Sequence, residues 1–166
     1  VYYIDGDGNP QRYEQFVAAE NRIWTSIDRV PDNLKKAFIA IEDQRFEKHH
    51  GVDIKRTGGA VLNYIFKGNS SYGGSTITQQ LVKNITNDKK RTKSRKIREM
   101  LRAIVLESKM SKEQILELYL NTIYLGHGAN GVEAAANVYF SKSVSELDLA
   151  ESACIAGITQ YPTLYD

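Results

Sequence analysis

Two acids stand side by side in Glu42-Asp43-Gln44-Arg45-Phe46-Glu47-Lys48-His49-His50-Gly51. They end a stretch in which Pro31 is followed by Leu34, Phe38 and Ile41, the i, i+4, i+7 pattern of a helix with one apolar face. At about 100° per residue, Glu42 falls roughly 80° from Leu34, on the shoulder of that face, and Asp43 falls about 180° away from it. A carboxylate at the edge of an apolar face is partly desolvated, which makes it a better proton acceptor. An acidic helix end that pairs with Arg45 or Lys48 accounts for the same residues without chemistry. His49 and His50 do not share a helix face and the remaining histidine, His127, is distant, so a hydrogen-bonding role suits them better than a metal.

A second group, Gly73-Gly74-Ser75-Thr76-Ile77-Thr78-Gln79-Gln80-Leu81-Val82-Lys83-Asn84, crowds hydroxyls and amides at a helix start. Free N–H groups and the positive dipole end there suit an anion or sugar hydroxyls, and Lys83 adds a charge one to two turns later. The spacing is not that of a phosphate-binding P-loop, and a well-capped helix alone also explains it. The third group runs from Lys89 to Arg102 with eight bases and one acid, Glu99. Such a run seeks an anionic partner or stays in water, and Glu99 has Arg95 and Lys96 at i−4 and i−3 to pair with. The aromatic residues that a single-strand nucleic-acid binder would interleave with these bases are missing. Tyr64 and Phe66 flank an apolar stretch between the first two groups, as core residues or as a patch touching a bilayer.

These residues need a scaffold, and 166 residues with 42% hydrophobic and 25% charged side chains suffice for one globular domain over 1–166. The formal charge of +2 is too small to argue for nucleic acid. Cys154 alone excludes an internal disulfide and reads as a small buried residue. Stretches free of charge reach about 15 residues, short of the roughly 20 that span a bilayer. The abrupt start at Val1 suggests a fragment of a longer, membrane-anchored protein. Val1–Ile4 and Gln11–Tyr13 predict a hairpin around a turn-rich loop.

Helices follow from Pro31 and from Asp53, the second carrying Ile54, Val61, Leu62 and Ile65 up to Gly68. The box Thr76-x-x-Gln79 starts another, with Ile77, Leu81 and Ile85 on one side. In the basic helix Ile97, Leu101, Ile104 and Val105 should face inward, and Ser111-x-x-Gln114 boxes a helix with Ile115, Leu118 and Tyr119. Two more helices fit 131–139 and 145–158. The fold class is mainly α with a small β element near the N-terminus.

In this order, the stretches resemble the glycosyltransferase domain of class A penicillin-binding proteins and their monofunctional relatives, glycosyltransferase family 51. Glu-Asp-x-x-Phe-x-x-His-x-Gly falls on Glu42, Asp43, Phe46, His49 and Gly51, and Gly-Gly-Ser-Thr-Ile-Thr-Gln-Gln falls on Gly73 to Gln80, followed by Lys83 and Asn84. Arg-Lys-x-x-Glu falls on Arg95, Lys96 and Glu99, and Ile-Leu-Glu-x-Tyr-Leu-Asn on Ile115 to Asn121. The stretch Gly131 to Ala136 with Tyr139-Phe140 is also family-like. Ser141 stands where such proteins often have glycine, Thr159 replaces a frequent proline, and the chain stops at Asp166 before further helices that the family would have.

The resemblance implies a lysozyme-like helical fold with an extended cleft and, as substrate, lipid II, polymerised into a growing glycan strand at the outer face of the bacterial cytoplasmic membrane. It makes Glu42 the general base and Glu99 the second acidic site residue. It implies contacts to substrate from Asp43, Phe46, His49, Ser75, Thr76, Thr78, Gln79, Gln80, Lys83, Asn84, Arg95, Lys96 and Glu117. A divalent cation, Mg or Mn, would be the metal at the pyrophosphate end, with no organic cofactor; a transpeptidase domain would follow in cis. A pyrophosphate leaves as a stabilised anion and needs positive charge, whereas glycoside hydrolysis needs an acid for its alkoxide. A lysozyme-like hydrolase and a non-enzymatic module binding membrane or cell-wall anions are the competing readings.

Overall fold

The computed structural model describes residues 2–4, 10–12, 21–58, 74–86 and 92–160. Strands β1 (Tyr2–Ile4) and β2 (Pro10–Arg12) pair antiparallel, Tyr2 opposite Arg12 and Ile4 opposite Pro10, as the predicted hairpin requires. Strand β3 (Asn21–Arg22) leads through a 3-10 turn, Ile27–Arg29, into helix α1 (Asp32–Glu42). After a second 3-10 turn, Phe46–Lys48, and a helical run over 54–58, the described chain continues with α2 (Ile77–Thr86), α3 (Lys93–Glu107) and α4 (Lys112–Thr122). Strand β4 (Ala129–Asn130) pairs in parallel with β3 and precedes α5 (Val132–Phe140) and α6 (Leu149–Ile158). The domain is mainly α with a small β element, of the lysozyme-like kind. The expected positions Val61 to Lys67, Gly68, Gly73 and Lys89 to Arg91 lie outside the described residues.

The elements start where local chemistry starts them. Thr76 and Gln79 cap each other reciprocally, N–H to Oε1 at 2.9 Å and N–H to Oγ1 at 3.1 Å, and Ser111 with Gln114 does the same for α4. Asp53 Oδ1 accepts from the Arg56 N–H at 3.0 Å, the cap predicted for the run at 54–58. Leu34 and Phe38 of α1, Ile77 and Leu81 of α2, and Ile115, Tyr119 and Leu120 of α4 fill the core with Val132, Ala135 and Ile155. Helix α1 packs on α6, and α2 is flanked by α3 and α4, so the ends of α1 and α2 meet in the middle.

Several inward expectations are overturned. Ile41 and Ile85, at the ends of their stripes, are exposed, and Ile54 is 81% exposed. In α3 the apolar residues Ile97, Leu101, Ile104 and Val105 all face out, Leu101 at 58% exposure, while Glu99 and Ala103 are buried. The cause lies in Gly51, at φ 83°, whose missing Cβ would stand 2.5 Å from the Ala103 carbonyl carbon. Only a face of small residues lets that backbone come so close, so α3 turns Ala103 inward and its bulky stripe outward. Cys154 is exposed, not buried. Apolar and small residues surround α6 on all sides, and Ser152, Ile155, Ala156 and Ile158 take the inner positions.

Backbone geometry accounts for one family departure. Ser141 ends α5 in the left-handed region, φ 54° and ψ 34°, where glycine carries no Cβ penalty. Thermal or urea melts should therefore show Ser141→Gly more stable by about 0.5–1 kcal/mol. Gly51→Ala, which adds a clash to left-handed strain, should lose about 2–4 kcal/mol. Equal stability of all three proteins would contradict this reading of the backbone.

Candidate active site

The end of α1 does not point its acids as a continuous helix would. At Asp43 the backbone leaves helical geometry, φ −155° and ψ 73°, and the carboxylate swings inward to 0% exposure. Its Oδ2 accepts from His49 Nε2 at 2.8 Å and from the Ile77 N–H at 3.1 Å, at the first turn of α2. The expectation that Asp43 faces away from the core is corrected, and its neighbour Glu42 is left half-buried at the rim. His49 is the hydrogen-bonding histidine predicted.

Glu42 faces a groove of about 580 Å³ between the ends of α1 and α6 and the facing sides of α2 and α3. Its walls include Ser75, Gln79, Gln80, Lys83 and Asn84 from the second motif and Arg95, Lys96 and Glu99 from the third. Three stretches far apart in the chain therefore share one cavity. Glu42 Oε2 accepts from Gln80 Nε2 at 2.6 Å and Oε1 from Gln160 Nε2 at 3.3 Å. Buried Glu99 accepts from Arg95 through one oxygen and from Lys96 through the other, the pairing expected from i−4 and i−3 spacing. Lys96 Nζ also donates to Ser75 Oγ at 2.7 Å, which ties the start of α2 to α3. With Arg56, four cations face two carboxylates in the groove, an electropositive balance that suits a multiply charged anion.

Other site candidates stand behind this wall. Thr76 Oγ1 donates to the Gly51 carbonyl at 2.6 Å, and Thr78 Oγ1 donates to Glu107, whose side chain also receives Lys112 Nζ at 2.6 Å. Phe46 is fully buried, edge-on to His49 and 4.5 Å under the Lys112 ammonium. These residues fix the wall and do not line the groove. Glu117 is likewise not brought to it: its Oε2 accepts from the Ile27 N–H at 2.8 Å, beside Asn121, which clasps Thr25 through both amide atoms. Arg56, Ile123, Tyr124 and Gln160 do line the groove but carry no local sequence signal, since only tertiary packing brings them there.

The sequence matches the profile of the family described as Transglycosylase over residues 9–166. It is 47% identical over 163 residues to penicillin-binding protein 1A of Clostridium botulinum, covering 96% of this chain and 20% of that protein. Penicillin-binding protein 1F of Bacillus subtilis is 47% identical over 146 residues, 88% of this chain and 20% of the relative. Penicillin-binding protein 1A of Escherichia coli is 46% identical over 166 residues, all of this chain and 19% of the relative. The chain thus spans about a fifth of the length of the curated relatives it matches. A half-buried acid and a cationic wall assembled from the expected motifs, with a family profile matched along nearly the whole sequence, show that this chain belongs to the transglycosylase family.

Proposed function

We propose that the chain is a peptidoglycan glycosyltransferase that polymerises lipid II, with Glu42 as general base. The observation that carries this reading is the groove itself, where Glu42, which forms no ion pair among the described residues, shares walls with Lys83, Arg95 and Lys96. Glu42 would take the proton from the 4-hydroxyl of the acceptor sugar as that oxygen attacks the anomeric carbon of the donor. The bond from that carbon to the diphosphate oxygen breaks on the opposite face, and the α-linked donor becomes a β-linked glycan. The bonding electrons leave on the diphosphate, whose charge the three cations offset. A hydrolase would instead need an acid for its leaving alkoxide. Glu99, with both oxygens accepting from Arg95 and Lys96, is poorly arranged to give a proton.

The donor set offers a divalent cation little. Among the described residues no three His, Cys, Asp or Glu side chains gather to cage an ion by themselves, so magnesium or manganese would be held by Glu99 only together with the diphosphate oxygens and water. Glu99 would have to exchange Arg95 or Lys96 for the metal, so the groove's own cations are the better partners of the diphosphate.

Membrane contact fits the outward face of α3. Val52, Ile54, Met100 and Ile104 line a second groove of about 630 Å³, with Lys48 and Lys55 at its edge. Apolar side chains rimmed by lysines match an anionic bilayer surface, where the polyprenyl tail of lipid II resides. No helix among the described residues is long and apolar enough to cross a membrane, so this contact is interfacial. The extracytoplasmic face of the bacterial membrane and a transpeptidase domain in cis complete the proposal, the latter in keeping with relatives about five times as long.

Two experiments test it. Glu42→Gln should cut polymerisation of lipid II by about 10²–10⁴-fold, the usual share of a general base, while lipid II still binds in a filter or fluorescence assay; unchanged turnover removes Glu42 from the base role. Leu101→Asp and Ile104→Asp should each weaken sedimentation with phosphatidylglycerol vesicles about fivefold, corresponding to about 1 kcal/mol of apolar contact. Binding insensitive to both changes rules out this face.

A further inference from the structure

The two oxygens of Glu42 are held unequally. Oε2 receives Gln80 Nε2 at 2.6 Å, whereas among the described residues Oε1 receives only Gln160 Nε2, at 3.3 Å and from an exposed residue at the end of α6. Gln80 is held in turn: its Oε1 accepts from the Tyr119 hydroxyl at 3.3 Å. Tyr119 sits in the centre of α4, fully buried, with its ring edge-on to Phe38 at a centroid distance of 6.1 Å. Its hydroxyl therefore occupies a fixed place that the core decides.

A glutamine amide has nearly the same shape either way round, and with its oxygen toward an ionised carboxylate it would repel. A hydroxyl that donates to the amide oxygen selects the useful orientation. Burial, and then the nearby charges of Glu42 and Asp43, push the Tyr119 hydroxyl well above its ordinary range, so it keeps its proton and stays a donor at any working pH.

We infer that Tyr119 is a positioning residue for the transfer reaction: its hydroxyl orients Gln80, Gln80 immobilises Oε2 of Glu42, and Oε1 is thereby left as the oxygen that takes the acceptor's proton. The inference rests on Glu42 being the base. It assigns to the buried tyrosine of the fourth motif a task at the first motif, through one side chain of the second. Gln160, displaced by the incoming hydroxyl, would be the group that moves.

Lipid II polymerisation by the wild type, Tyr119→Phe, Gln80→Met and the double variant tests this, with melting curves for each. Tyr119→Phe should lower kcat about tenfold, leave KM within about twofold, and move the acidic limb of the kcat/KM profile up by about one pH unit, the worth of one hydrogen bond to a charged group. Arg56, Lys83, Arg95, Lys96, Glu99 and Asp43, the charged groups around Glu42, are the same in every variant, so such a shift reports the relay. In the Gln80→Met background, Tyr119→Phe should cost nothing further, because both changes cut one chain. Additive losses, or a Tyr119→Phe profile that superimposes on the wild type, overturn the inference. Where Tyr119→Phe melts too low to assay, Gln80→Met decides alone, and an unmoved acidic limb sinks the relay. Polymer made by Glu42→Gln at the wild-type rate removes the base and the relay together; dependence on Glu42 with an unmoved limb removes the relay only.

Discussion

A buried carboxylate clamps two helix ends together, and the site depends on it. Asp43 has no access to water, and a carboxylate so placed must be compensated by donors. It finds the Ile77 N–H, one of the amides that the start of α2 leaves without an intrahelical partner, and the His49 ring. The positive end of the α2 dipole adds to that compensation. Because Asp43 is drawn in under the first turn of α2, Glu42 is left at the rim of the groove, beside Gln80 one turn further along that helix. The order Glu-Asp is therefore a division of labour in which the second acid is spent on architecture so that the first can be aimed.

The cationic wall is brought up by a different constraint. Gly51 lets the loop after α1 lie against the backbone of α3 at Ala103, and Thr76 ties the same loop to the head of α2. Helix α3 is thus held with Ala103 and Glu99 inward. Glu99 is tolerable there because Arg95 and Lys96 bracket it, and those two cations are carried to the groove edge by the acid they neutralise. The same rotation throws the apolar stripe of α3 outward. One helix thereby presents cations on one side and an apolar surface on the other, an arrangement that the proposed transfer from a diphosphate-linked lipid would use.

Much of this was legible in the residues and some was not. Capping boxes at Thr76 and Ser111, the hairpin, and the i−4, i−3 bracket of Glu99 are local, and local spacing found them. Periodicity also located α3 but misjudged its face, since an apolar stripe marks a surface that avoids water without saying whether protein or lipid covers it. The inward turn of Asp43 was missed because extrapolating 100° per residue assumes a helix that continues, and this one ends at Glu42. Cys154 was misplaced because α6 is apolar all round. Tyr119, Gln160 and Arg56 reach the site across 39 to 118 residues of sequence or from a helical run packed beside it, and nothing in their neighbours announces that. Glu117, drawn in by its motif, turned out to hold Ile27.

Hydrogen exchange at the Ile77 amide tests the clamp most directly. The first amides of a helix ordinarily exchange fast for want of a partner. If Asp43 holds this one in a buried bond, it should exchange only through global opening, as slowly as the amides of the α5 core. Exchange at the rate of a frayed helix end would mean that Asp43 does not fasten α1 to α2, and that the aim of Glu42 has some other origin.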